Sequence, residues 1–360
     1  MIALPAHRGL SAFLNRPRRL PMLIGGTVVF IMCLFYLLLS IAPCLVYGSC
    51  YRGYASDFSF DADLAHNPTW MAELPDDVPL SSLSVPGTHD TMTYEIGTEV
   101  LQCQNWNIST QLMAGVRYFD IRARVRDDAL HIYHANGYTG FSFSHVLEQM
   151  SDFLDKYPSE TIIMRLKQEG NGIGENTITF EDAFNHYAFG DHLYNYSSSQ
   201  SLPTLGEIRS KIFVLENFRN KLGPYGVKWD GPQMILEDLW IIPDVYHLSE
   251  KWTAIREALE LAATAPHDNK VLYLAHLSAS VGVLPIEAAA GPMNRTISGM
   301  NDMTGQWIED FEGNPDATRT GIIIIDFPGQ RLIDAILRWN KPLMKHVRRR
   351  RHWSMPSFLS

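Results

Sequence analysis

Cysteine is scarce, with four in 360 residues. None forms a Cys-x-x-Cys pair, so the usual zinc and dithiol signatures are missing, and four are too few for a disulfide scaffold. A positive charge excess is missing too. Lys and Arg total 30 against 39 Asp and Glu, a formal net charge of −9. No domain-wide basic field gathers phosphates, which argues against a nucleic-acid binder. No period of 20–50 residues repeats, which excludes solenoids and propellers. Gly and Pro are moderate and aromatics make up 11%, which excludes a disordered or collagen-like chain. The length suits two or three average domains or one large α/β barrel.

Between Arg19 and Arg52 charge is absent altogether. The run from Met22 to Tyr47 is almost wholly apolar, and as a helix it extends roughly 39 Å, more than the ~30 Å hydrocarbon core of a bilayer. Arg8, Arg16, Arg18 and Arg19 precede it, so the positive-inside rule keeps the first residues cytosolic. The expected organisation is a basic cytosolic segment (1–20), a transmembrane signal anchor (21–48), a linker (49–75), one catalytic domain facing the lumen or exterior (76–342) and a basic tail (343–360). Secretion after cleavage near Gly48 is the alternative, although a signal h-region is usually only about 7–15 residues. Sequons at Asn107, Asn195 and Asn294 suit an N-glycosylated, secretory-pathway chain. Cys50 and Cys103 are the two cysteines outside the apolar run, and a disulfide between them or two free thiols are equally open.

Beyond residue 78, short apolar runs recur, each ending in polar or Gly residues: Leu80–Val85, Val116–Arg122, Leu130–His134, Thr161–Lys167, Lys211–Glu216, Met234–Asp238, Val271–Ala275 and Gly321–Asp326. Several are near-continuous aliphatic stretches, as in strands buried on both faces of a parallel sheet. Helical patterns at Ser144–Tyr157, Trp252–Ala263 and Arg331–Trp339 separate some of them. Eight such strands predict a (β/α)8 TIM-type barrel, preceded by the N-terminal transmembrane helix. The barrel is irregular after Arg122, because the short gap to Leu130 cannot hold a helical crossover.

Barrels place chemistry at the C-terminal ends of their strands. Those ends carry His89 and Asp90, Asp120 and Arg122, His134, Arg165, Lys167 and Glu169, Asp238, and Asp326. Two histidines, an arginine and nearby carboxylates suit phosphodiester chemistry. One imidazole removes a proton from the attacking hydroxyl, the other protonates the leaving oxygen, and a guanidinium fork neutralises the phosphate.

At these residues the sequence resembles the X domain of phosphatidylinositol-specific phospholipase C in its bacterial, metal-independent form. The matching segments are Ser84–Thr91 (SVPGTHDT), Phe119–Arg124 (FDIRAR), Ser159–Glu169 (SETIIMRLKQE) and Asp326 in IIIIDFPG. The resemblance spans roughly residues 76–340. It implies that His89 is the general base toward the inositol 2-hydroxyl, oriented by Asp326, and that His134 is the general acid, assisted by Asp90. It also implies that Arg122 binds the phosphate and that Arg165, Lys167, Glu169, Asp238 and Trp240 line the headgroup site. The implied products are diacylglycerol and a cyclic inositol phosphate. The substrate is then a membrane inositol lipid or a GPI-like lipid, with no nucleic acid and no cofactor. No metal is expected, because Arg122 stands where calcium-dependent relatives carry a carboxylate ligand, and Asp90 stands where they carry Asn. The chain departs from the family after His134, where Ala135 replaces the usual Gly, and at Glu216-Asn217, where a basic headgroup contact is common. A non-catalytic lipid-binding barrel and a metal-dependent glycerophosphodiesterase-like enzyme are the competing readings. The run Lys345–Arg351 suits anionic lipid or a solvated tail equally.

Overall fold

The computed structural model describes residues 19–46, 49–187, 190–197, 201–294 and 296–344. Helix α1 (Arg19–Val46) precedes the folded body. Its side chains are described over 24–38, and all of them are exposed. Among the described residues no helix is long and apolar enough to cross a membrane. The basic tail expected over 343–360 lies outside the described residues from position 345 onward.

The body is built on ten strands: β1 (Val85–Thr88), β2 (Tyr118–Arg126), β3 (Ala129–His134), β4 (Gly137–Ser142), β5 (Ile162–Gln168), β6 (Ile212–Asn217), β7 (Val227–Lys228), β8 (Met234–Glu237), β9 (Leu272–His276) and β10 (Ile322–Ile325). Eight run parallel in the order β8-β9-β10-β1-β2-β5-β6-β7. Strand β3 attaches antiparallel to the far end of β2, and β4 pairs antiparallel with β3. The sheet curls as a TIM-like barrel does but stays open, because β7 and β8 at its two ends are not paired among the described residues.

Eight parallel strands were expected and eight are present, but they are not the same eight. The run Leu130–His134 is a strand, yet it folds back on β2 as a hairpin, which explains the gap too short for a crossover. Its place in the parallel set is taken by β7, whose two residues are too short to carry a periodic signal. The first strand also lies later than expected. Leu80–Ser82 forms a 3-10 turn, and pairing begins at Val85 inside the VPGT motif. Gly87 is required there, since a Cβ would stand 2.7 Å from the Tyr118 ring on β2.

Side-chain alternation divides the core into layers. Ile322 and Ile324 of β10 join Val85, Tyr118, Ile163, Phe213, Leu272 and Leu274 in one cluster inside the curled sheet. Ile323 and Ile325 face the opposite way, onto α8 (Met300–Asp310) and α9 (Gln330–Arg338), with Leu332 and Ile336. Phe119, Ile121, Ile162 and Met164 likewise pack under α2 (Ile108–Ala114) and α3 (Phe143–Lys156). Ser142 caps α3 by accepting the His145 N–H, two residues before the expected start. Helix α6 (Leu248–Thr264) is longer than the expected Trp252–Ala263 and packs on the same layer as α8.

Residues 49–75, expected as a linker, pack onto this body instead. Phe58, Phe60 and Met71 are buried, and Ser56 hydrogen-bonds Asp302 of α8. The abundance of Pro and Asp hid these few anchors. Neither of the two readings left open for Cys50 and Cys103 holds: they are not bonded to each other, nor are both free. Cys50 is disulfide-bonded, whereas Cys103 is a free, buried thiol. The sequon residues Asn107, Asn195 and Asn294 are exposed.

At the opposite end from the candidate site, Arg117 and Glu160 are fully buried and paired, Nη2 to Oε2 at 2.9 Å. Arg117 also donates to the carbonyls of Leu112, Val116 and Pro68. Removing Glu160 leaves an uncompensated buried cation, which typically costs about 3–5 kcal/mol. Glu160→Ala is therefore expected to lower the urea midpoint sharply with an unchanged m-value, and wild-type stability of this variant would overturn the account.

Candidate active site

The alternation that fills the barrel also builds its mouth. Side chains two apart share a face, so each inward apolar series continues into a polar residue at the strand's C-terminal end. Val85 and Gly87 lead to His89, Tyr118 leads to Asp120 and Arg122, and Ile163 leads to Arg165, Lys167 and Glu169. Leu215 leads to Asn217, Leu236 to Asp238, Leu274 to His276 and Ile324 to Asp326. His134 arrives by another route, at the end of β3, where Ala135 and Asn136 form the turn into β4. Ala135 adopts φ 50° and its N–H donates to Glu169 Oε1, which ties this hairpin to β5.

Asp90 sits at the centre, in a tight turn after β1 with φ 40°. Its Oδ2 lies 3.2 Å from His89 Nε2 and 3.3 Å from His134 Nε2, and its Oδ1 lies 3.0 Å from Arg122 Nε. The two imidazole rings stand edge to face, 6.3 Å apart. Arg122 reaches Asp120 Oδ2 with Nε at 3.0 Å and Nη2 at 2.8 Å, and Nη2 is 2.7 Å from His89 Nε2.

These contacts fix the tautomers. A guanidinium can only donate, so His89 Nε2 accepts from Arg122, and Nδ1 carries the proton it donates to Asp326 Oδ1 at 2.9 Å. Burial, reinforced by Arg122, holds the His89 imidazole well below its ordinary 6.5. Burial also pushes Asp326 well above the usual carboxylate range. His134 Nδ1 donates to the Leu101 carbonyl at 2.8 Å, leaving Nε2 toward Asp90. Burial raises Asp90 against the pull of Arg122 and His134. For Asp120 burial acts in the same upward sense, but Arg122 and Arg165 outweigh it and hold the carboxyl well below its usual range.

The headgroup candidates divide. Lys167 Nζ pairs with Glu169 Oε2 at 2.6 Å, and Glu169 Oε1 lies 3.8 Å from Arg122 Nη1. Asp238 is part-exposed at the mouth, and Trp240 stands half-exposed on the loop beyond β8. Arg165 is engaged by the protein itself. It donates to Asn217 Oδ1 at 3.1 and 2.8 Å, lies 3.5 Å from Asp120, and stacks 3.8 Å over the Trp229 ring. Its evident task is to hold Asp120 and Trp229 in place.

Sequence reading missed Trp229 and His276, and considered Cys103 only as a possible partner of Cys50 rather than as a neighbour of the site. His276 was one residue beyond the expected strand Val271–Ala275, and the inward series from Leu272 would have found it. Ligand atoms of His89, Asp90 and Cys103 lie within 4.8 Å of one another. The set does not suit a cation, because the positive Arg122 guanidinium already lies 2.7 Å from His89 Nε2 and 3.0 Å from Asp90 Oδ1. Burial and the nearby Asp326 also push the Cys103 thiol well above its ordinary value.

The family model "Phosphatidylinositol-specific phospholipase C, X domain" matches residues 77–217. A Listeria monocytogenes 1-phosphatidylinositol phosphodiesterase is 34% identical over 288 residues, covering 76% of this chain and 84% of that protein. A Staphylococcus aureus protein of the same name is 26% identical over 325 residues, covering 82% and 94%. The solved Listeria monocytogenes phosphatidylinositol-specific phospholipase C superposes with a TM-score of 0.62 at 32% identity, over 76% of this chain and 98% of that one. The curled sheet, the paired histidines at its mouth and this likeness across most of both chains agree: the chain belongs to the phosphatidylinositol-specific phospholipase C family.

Proposed function

We propose that the protein cleaves an inositol phospholipid at the bond between phosphate and diacylglycerol, by intramolecular transfer to a ring hydroxyl. The observation that carries this reading is the position of Asp90 Oδ2 within 3.3 Å of both His89 Nε2 and His134 Nε2, with Arg122 alongside. His89 Nε2, unprotonated and backed by Asp326 through Nδ1, takes the proton of the inositol 2-hydroxyl as its oxygen attacks phosphorus. Protonated His134 gives its Nε2 proton to the departing diacylglycerol oxygen, leaving a cyclic inositol phosphate. Reversing these roles with water in place of the alcohol opens the cyclic ester. Arg122 neutralises the phosphate oxygens as charge builds. Lys167, Glu169, Asp238 and Trp240 hold the headgroup. No cation takes part in this scheme, because the guanidinium fills its role.

Two features support a lipid surface as the place of action. Leu239, Trp240, Ile241 and Val281 are exposed on the segments that follow β8 and β9, where Ile241–Ile242 and Ser280–Val281 pair as a short parallel ladder, at the same end of the barrel as the site. The described side chains of α1, including Phe30, Met32, Phe35 and Leu37, are exposed and apolar, a surface that is a liability in water. On this reading segment 21–48 carries the catalytic body across a membrane and is then retained in lipid as an anchor or cleaved from a secreted form.

Two measurements test the chemistry. His89→Ala and His134→Ala should each lower release of inositol phosphate from phosphatidylinositol vesicles by roughly 10²–10⁴-fold, while EDTA leaves the wild type unaffected. Wild-type rates in either variant, or inhibition by the chelator, would sink the scheme.

The pH profile follows from His89. A base held below 6.5 remains unprotonated as pH falls through 6.5, so the acid limb of kcat/KM should lie below that value. Arg122→Met removes a group that depresses this imidazole. The limb should therefore move toward neutral pH, while kcat falls on the order of 10²–10³-fold with the phosphate contact gone. An unmoved limb would show that Arg122 does not act on His89.

A further inference from the structure

His276 ends β9, between Asp238 on the β8 side and Asp326 on the β10 side. It is 1% exposed, and the reaction scheme above gives it nothing to do. Its Nδ1 lies 3.0 Å from the Glu237 carbonyl and 3.8 Å from the Asp238 carboxylate. A carbonyl only accepts, so Nδ1 carries the proton and the neutral ring presents a bare lone pair at Nε2. That Nε2 is buried and has no hydrogen-bond partner among the described residues. The ring is edge-on to His89 at 6.1 Å and to Trp229 at 5.9 Å between centroids, which places it beside the catalytic base.

A buried acceptor without a donor is a costly arrangement that proteins rarely keep unless something else fills it. Among the described residues the protein supplies no donor. A headgroup lying between Asp238 and His89 would supply one. On an inositol ring, the hydroxyl next to the nucleophilic 2-position that does not carry phosphate is the 3-hydroxyl. We infer that His276 is a substrate-contact residue whose Nε2 accepts a hydrogen bond from the headgroup hydroxyl neighbouring the nucleophile. Resting on the function proposed above, this makes His276 a selector for a vicinal diol, distinct from the acid–base pair. Burial, with Arg165 adding to it, pushes this imidazole down to about 3. It therefore stays an acceptor at any working pH and cannot substitute for His134 as a proton donor.

The test compares His276→Phe, which keeps the ring volume but lacks the acceptor, with His276→Gln, which returns an oxygen near the Nε2 position. Thermal melts confirm folding. On phosphatidylinositol vesicles His276→Phe should lose about tenfold in kcat/KM, the loss one neutral hydrogen bond produces, and His276→Gln should recover most of it. On the 3-deoxy lipid the unaltered protein should already be about tenfold slower, and His276→Phe should lose nothing more. Equal loss on both lipids, a shifted acid limb, or no loss on either would overturn the contact. Calorimetry with free myo-inositol separates this inference from the reaction. If the protein cleaves no inositol lipid, weaker inositol binding by His276→Phe still supports the contact. Equal binding, or no binding by the unaltered protein, overturns it.

Discussion

One guanidinium organises this site. Arg122 lies within 3.0 Å of Asp120, Asp90 and His89 at once. In so dry a place, bringing three carboxylates of the mouth, Asp90, Asp120 and Asp326, this close together is tolerable only with cations among them. Arg122 and Arg165 hold Asp120 ionised. Asp326 has no such direct partner and is pushed upward. The same guanidinium determines which nitrogen of His89 is bare, which suits the ring to the base role proposed for it. Charge balance and tautomer therefore rest on one side chain.

The fold makes that convergence possible by alternation. A strand of a curled parallel sheet must bury both faces, and here one face meets helices while the other meets the inside of the barrel. The inward series is apolar until the strand ends, where it turns polar on strand after strand. His89, Asp120, Arg122, Arg165, Lys167, Asp238, His276 and Asp326 all occupy such positions. His134 is the exception, brought over the mouth by a hairpin rather than by a barrel strand. The second histidine can thus face the first from outside the ring of strands.

Much of this was legible in the residues. Apolar runs, several of them near-continuous and aliphatic, marked six of the eight parallel strands in place and met a seventh only at Val85, because burial on both faces leaves a signal that needs no tertiary knowledge. The site motifs at their ends were equally plain. Other features were hidden for specific reasons. The hairpin nature of Leu130–His134 depends on which strand it pairs with, and propensity is the same in either direction. The strand at Val227–Lys228 exists only because Gly226 lets the chain pass close to Val214. The segment over 49–75 reads as a linker because a few anchors, Phe58, Phe60 and Met71, do what a longer apolar run usually does. Cys103 lies beside Asp326 and unbonded, a matter of distance that spacing along the chain cannot express.

The sequence by itself determined most of the strand set, the polar residue types at the strand ends and the absence of a basic field, because each follows from residue type and local period. Tertiary structure alone decided which nitrogen of His89 is bare, that Arg165 is taken up by Asp120, Asn217 and Trp229, and that, among the described residues, His276 Nε2 has no donor and β7 and β8 are not paired. Those outcomes depend on distances of about 3 Å between residues far apart in the chain, and a hydrogen bond is decided by such distances rather than by composition.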